Sequence, residues 1–179
     1  MTFATQMPLY VRWPAGRGVA PRDDHTYLSN VDMAATLCEV GGCVMGPYED
    51  GKAESDGTSF LPVILGSGTV VRQAVVSQNL SRPLWRAIRT TPASPLGLWH
   101  YAEYASGERE LYDASGGPCW EWAPGDQGDP CELTNLAGLP GSAEIEAALH
   151  DLLATAARTG GSGRAFSGRT RDRSGATAH

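Results

Sequence analysis

Arg86 and Arg89, on the stretch LWRAIRTT, could meet an anionic substrate. Their plainer role is an outward-facing charge or a pair with Glu108 or Glu110, and such pairs stabilise little at a surface. Trp99 and His100 alternate on another strand-like stretch. His100 reads first as a partly exposed structural side chain, and otherwise as a contact to substrate. Trp120 and Trp122 lie in the loop 114–128. Their rings could stack on a sugar, or they could pack the loop down onto its own domain. Cys38, Cys43, Cys119 and Cys131 include no C-x-x-C pair, so the usual zinc-ribbon spacing is absent. Cys119 and Cys131 bracket a loop and could pair as a disulfide in an exported protein. Cys38 falls in a helical pattern and reads as a small buried hydrophobe. Asp23-Asp24-His25 are contiguous on a loop and read as a solvated turn rather than a metal cluster. Asp50, Glu54 and Asp56 flank Gly51 and Gly57 without the spacing of an EF-hand.

The elements that must position these residues are short. PLYVRWP, 8–14, reads as a largely buried strand stopped by Pro14. A Gly-, Pro- and charge-rich loop leads to SNVDMAATLCEVGG. There Ser29 or Asn30 can cap a helix, Asp32 suits its positive end, and Gly41-Gly42 stops it. Met33, Leu37 and Val40 share one face of that helix. Residues 44–69 read as a loop with a short apolar centre, Phe60 to Leu65. Strands are expected at 70–78, 84–91, 97–104 and 108–113, separated by Pro, Gly and Ser signals, which together suggest an antiparallel meander. The helix at 142–157 is the clearest element. Ser142 can cap it, Glu144 and Glu146 sit in its first turn, and Ile145, Leu149, Leu152, Leu153 and Ala156 form one apolar stripe. A small sheet must cover one face, and this helix is the available cover.

The chain has 179 residues, 41% hydrophobic and 19% charged, which fits a soluble globular class with one domain and a tail. Its longest apolar run, Phe60 to Leu65, is too short to span a bilayer. No basic segment followed by an apolar one opens the sequence, so no signal peptide is read and localisation stays unassigned. Net charge is −6; residues 158–179 carry five Arg against Asp172, +4, so the remainder carries −10. An acidic body argues against a nucleic-acid partner. The Gly-, Ser- and Arg-rich tail, with Phe166 its one aromatic, is expected to be disordered.

Five pieces in order resemble the C-terminal part of a type I, arylsulfatase-like sulfatase of the alkaline phosphatase superfamily. They are MPLYVRWPAG, LSNVDMAATLCEVGG (with Ala35 where the family usually has Pro), DGTSFLPVILG, WRAIRTT and GERELYD followed by DPCELTNLAG. The resemblance spans residues 7–155. It implies an α/β fold, α+β within this chain. Residues 1–69 would be the last strand and helix of the sulfatase α/β domain, and 70–157 a four-stranded antiparallel sheet packed on a C-terminal helix, with 158–179 as the tail. It implies a sulfuric ester hydrolase using a formylglycine nucleophile and a divalent cation, usually calcium. Such a hard ion needs an oxygen-rich ligand set. It also implies that 70–157 lends loops to the rim of the substrate pocket, which makes His100 the one substrate contact expected here. Measured against the family, the loop 114–128 is an insertion.

The same resemblance marks what this chain lacks. Formylglycine forms at Cys/Ser-x-Pro-x-Arg; Ser81-Arg82-Pro83-Leu84-Trp85 comes nearest, but Trp85 stands where Arg is required. The calcium ligands belong upstream in the family. No catalytic residue, metal ligand or cofactor is therefore expected within these residues, and the isolated chain should be inactive. Its partner would be the N-terminal catalytic part, with a sulfate-ester substrate only in that context, and no membrane. The family is often exported. A sheet cut at this point would leave an unpaired edge and an open apolar face near PLYVRW. Two other readings stand beside this one: a related phosphodiesterase or phosphonate-ester hydrolase on the same scaffold, and a non-catalytic glycan- or protein-binding module.

Overall fold

The computed structural model describes residues 7–14, 18–43, 57–79, 81 and 83–159. The basic tail from 160 onward and the acidic trio Asp50, Glu54 and Asp56 lie outside the described residues. The architecture is mixed α+β. Helices α1 (Val31–Gly41) and α2 (Leu61–Leu65) precede strands β1 (Ala74–Asn79), β2 (Trp85–Thr90), β3 (Trp99–Tyr104) and β4 (Arg109–Asp113). A 3-10 turn, Pro140–Ser142, then leads into α3 (Ala143–Thr159).

The four strands form one sheet in the order β1-β2-β3-β4, with every neighbour antiparallel. The pairing runs Val76↔Ile88↔Tyr101↔Leu111 across the sheet. Because side chains alternate between faces, this row projects to one side, where Ile88, Tyr101 and Leu111 are fully buried with Leu149 and Leu153 of α3. Ile145 and Leu152 complete the helix stripe from partly buried positions. Hydrophobic residues at i, i+4, i+7 and i+8 present one face to the sheet, as the sequence implies. Burial also pushes the Tyr101 phenol up, with the neighbouring Glu103 carboxylate adding to it.

Two expected caps are not made. Asn30 makes no side-chain cap bond; instead the Asp32 carboxylate accepts from the Ser29 amide at 2.7 Å. Ser142 sits inside the 3-10 turn, and its hydroxyl donates to the Leu136 and Leu139 carbonyls rather than accepting from the helix. The expected stop of α1 is present. Gly42 takes φ 71°, and the amides of Gly42 and Cys43 bond back to Glu39 and Cys38. This pattern of two back-bonds normally carries an apolar contact between the third residue from the helix end and the second beyond it. Here those two residues are Cys38 and Cys43, joined as a disulfide with Cα atoms 4.9 Å apart. Cys38 is buried, as expected of a small hydrophobe, but its sulfur is bonded to Cys43.

Three further expectations change. The segment read as a loop around Phe60 contains the one-turn-and-a-half helix α2, which Pro62 starts and Gly66 ends. PLYVRWP forms neither strand nor helix. Leu9, Tyr10 and Val11 are 48%, 90% and 48% exposed: an extended segment with no ladder partner among the described residues has nothing to make it a strand. The Met33–Leu37–Val40 face of α1 is likewise open, with Leu37 65% exposed.

What holds α1 in place is polar. Asp32 is completely buried and accepts from the Thr58 amide at 2.8 Å and from Arg72 Nη2 at 2.8 Å, besides Ser29. One turn on, the Thr36 hydroxyl donates to the Asp32 carbonyl and accepts from the Phe60 amide at 3.0 Å. The segments VDMAAT and GTSF are thus tied to each other by two side chains. Leu149→Ala is expected to cost about 2–5 kcal/mol in urea unfolding, whereas Leu37→Ala should stay within about 0.5 kcal/mol.

Candidate functional site

The second face of the sheet carries Arg89, His100 and Tyr112. Val75, Arg89, His100 and Tyr112 are its consecutive register partners across β1 to β4. They fall on this face because they are each one residue removed from the apolar row. The segment after β4 supplies the missing charge. The Asp129 amide donates to the Asp113 carbonyl at 2.6 Å. The Asp129 carboxylate then accepts from the amides of Leu133 and Thr134 at 3.0 and 2.6 Å, closing a tight turn over DPCELT. Inside that turn Glu132 takes φ 59°, the one non-glycine with positive φ among the described residues. Past it, the Asn135 side chain accepts from the Leu111 amide at 3.0 Å and donates to the Arg109 carbonyl at 3.0 Å. It takes the place of a strand residue on the β4 edge.

Glu132 is thereby turned inward. Its Oε1 lies 2.6 Å from His100 Nδ1 and 3.7 Å from Arg89 Nη1. The side chains of Glu132, His100 and Arg89 are only 3%, 4% and 14% exposed. A carboxylate has no proton to give, so Nδ1 is the donor in this short contact. Arg89 Nη1 is buried and has no hydrogen-bond partner among the described residues; its interaction with Glu132 is one of charge. The Tyr112 ring lies 6.3 Å from the imidazole. Burial, then the Glu110 and Glu132 charges, push its phenol up to about 12. The Tyr104 phenol is also pushed up to about 12, by burial and by its hydrogen bond to Glu110.

The structure thus brings Arg89 and His100 together and sends Arg86 to the helix side, where it meets Glu103 at 3.5 Å. The expected partners Glu108 and Glu110 instead accept from the Ser106 and Tyr104 hydroxyls. Asp24 accepts from the Thr26 amide and hydroxyl, which holds its carboxyl below the usual range, as a local turn does. Trp120 is 76% exposed, and Trp122 is half-buried. Trp120 therefore does not pack the loop down. That loop is closed by the Cys119–Cys131 disulfide, with Cα atoms 4.8 Å apart. Its neck is fixed at Gly128, φ 72°, where a Cβ would meet the Ser115 carbonyl oxygen at 2.3 Å. Glu132 was absent from the sequence-derived set. The signal that could have found it is the buried Asp-Pro turn, which leaves one residue to point back at the sheet.

All four cysteines are in disulfides, and no group of three or more His, Cys, Asp or Glu among the described residues is placed to hold a metal ion.

Replacing Glu132 by Ala is expected to cost about 1.5–3 kcal/mol, the worth of a hydrogen bond to a charged partner. Glu132→Gly should cost about 1 kcal/mol less, because it removes the left-handed backbone penalty; chemical denaturation of the two variants compares them. Tyr104 and Tyr112 have folded values near 12, raised above the ordinary 10.0. Folding therefore favours their neutral forms, and that stabilisation is whole below about pH 10 and lost as pH rises through 12. Titration of phenolate absorbance should show both ionising late, and Tyr112→Phe should flatten the alkaline loss of stability.

No family model matches the chain. Among curated proteins it is similar to a choline-sulfatase of Rhizobium meliloti (strain 1021), 27% identical over 137 residues, which is 76% of this chain and 22% of that protein. The chain spans about a fifth of the length of the curated relative it matches. This similarity supports a sulfatase-family C-terminal region.

Proposed function

We propose that this chain is the C-terminal portion of a sulfatase-type sulfuric ester hydrolase and does not hydrolyse sulfate esters by itself. The observation that carries the reading is the match to a choline-sulfatase, which takes in 76% of this chain and only 22% of the relative. The formylglycine nucleophile and the metal ligands then belong to a preceding catalytic part. That part is also the partner. It would cover the apolar side chains this chain leaves open, Leu9, Tyr10 and Val11 on the extended segment and Met33, Leu37 and Val40 on α1, since exposed apolar surface of this kind marks an interface. Within the joined enzyme, His100 is the substrate-side contact contributed by the sheet, held through Nδ1 by Glu132. Glu132 and Arg89 position the ring.

Two measurements test this. The 179-residue chain and a version extended by whatever coding sequence precedes it are assayed for sulfate release from an aryl sulfate and from choline sulfate. Release by the extended form alone is expected; release by the short chain would refute the proposal. Intact-mass analysis of the native product in its source cells should give a species heavier by a catalytic domain. A stable 19.0 kDa species beginning at Met1, with no upstream product to join it, would overturn the reading.

A further inference from the structure

We infer that the Cys119–Cys131 disulfide is a redox-sensitive hold on Glu132, so that reduction by a dithiol releases the carboxylate from His100 and Arg89. This rests on residues within the chain and stands whether or not the chain is part of a sulfatase.

Cys131 directly precedes Glu132, so the bridge fixes the backbone on the N-terminal side of the residue that must turn inward. Glu132 holds a left-handed conformation, φ 59°, which a residue bearing a Cβ adopts only when its surroundings impose it. On its C-terminal side the Asp129 carboxylate imposes it, through the Leu133 and Thr134 amides. On its N-terminal side the Glu132 amide donates to the Asp129 carbonyl at 3.0 Å, and the bridge anchors Cys131 to Cys119 at the base of the loop. Both cysteines are only half-buried, with Trp120 and Leu133 beside them 76% and 70% exposed. A thiolate can therefore reach the bond. Attack on one sulfur gives a mixed disulfide; the second thiol of the reagent then closes its own disulfide. The chain gains two electrons and two protons as two thiols, and the dithiol is oxidised by the same count. The second bridge, Cys38–Cys43, closes the end of α1, and the test removes it so that one bridge alone is reduced.

Loss of the hold leaves the His100 and Arg89 side chains buried without their carboxylate, a state that favours local opening of β2 and β3. The test uses the full chain carrying Cys38→Ser and Cys43→Ser, so that only one bridge remains. It is reduced with dithiothreitol and followed by NMR. In the oxidised protein the His100 Nδ1 proton is expected as a downfield, slowly exchanging resonance. Reduction should remove it and speed amide exchange at Arg89 and His100 at least tenfold. Glu132→Gln keeps the bridge but lacks the charge, and there reduction should change exchange by less than twofold. A persistent Nδ1 resonance after reduction would overturn the inference. So would equal acceleration in Glu132→Gln, or complete unfolding of both proteins on reduction, because either means that the bridge holds the loop or the fold and not Glu132. Cys119→Ala with Cys131→Ala provides a second route to the reduced state. If that variant folds, it must match the reduced protein at His100 for the inference to stand.

Discussion

The register that sets Ile88, Tyr101 and Leu111 side by side is the constraint on which the rest of this structure depends. Side chains alternate strictly along a strand, so a slip of one residue would exchange the faces. It would send Ile88 away from Leu149 and Leu153 and turn Arg89 and His100 toward them. Burial of the apolar row against α3 therefore decides where Arg89 and His100 go. The sheet has a packed side and a polar side as two results of one alignment.

The polar side is completed by a segment with no regular secondary structure. Residues 129–136 bind to the sheet through backbone amides at both ends, Asp129 to Asp113 and Leu136 to Leu111, and through side chains acting as backbone. Asp129 takes up the amides of its own turn, and Asn135 stands in for a strand residue at the β4 edge. An irregular segment buried against a sheet must satisfy its peptide groups somehow, and here two short polar side chains do so. Their fixed lengths leave little choice about where Glu132 points. The same device recurs at Asp32, which joins α1 to residues 57–58 and to Arg72. In both places a buried carboxylate is surrounded by donors, which is the condition under which burying one is tolerable.

Much of this arrangement could be read from the residues. The four strands and the final helix follow from local signals: alternation of apolar residues broken by Pro and Gly, and a helical stripe ending in glycine. The stop of α1 at Gly42 was legible for the same reason. What was not legible depends on distance along the chain. Asp32 reads locally as a helix-start acid, and nothing nearby announces Thr58 or Arg72. PLYVRWP has the composition of a strand, but a strand exists only through its partner. Arg89 and Glu132 are 43 positions apart, and their meeting requires both the register and the left-handed turn. The Cys38–Cys43 bridge is an intermediate case. Its spacing is local, but the apolar character of the helix face suggested packing, and only the geometry of the helix end shows that the two positions coincide.

Glu132 places a left-handed backbone and a buried charge pair on one residue, and the two pull in opposite directions. Glycine or asparagine would relax the first, which for a side-chain-bearing residue costs about 1–3 kcal/mol, but neither can supply the second. A search that ranks substitutions by backbone fit alone would replace this residue early and would lose the imidazole's Nδ1 hydrogen bond without any warning from the fold. Position 132 is thus one at which tolerance to substitution and the order of the His100 ring are separate quantities, and a library scored on both would be needed to tell them apart.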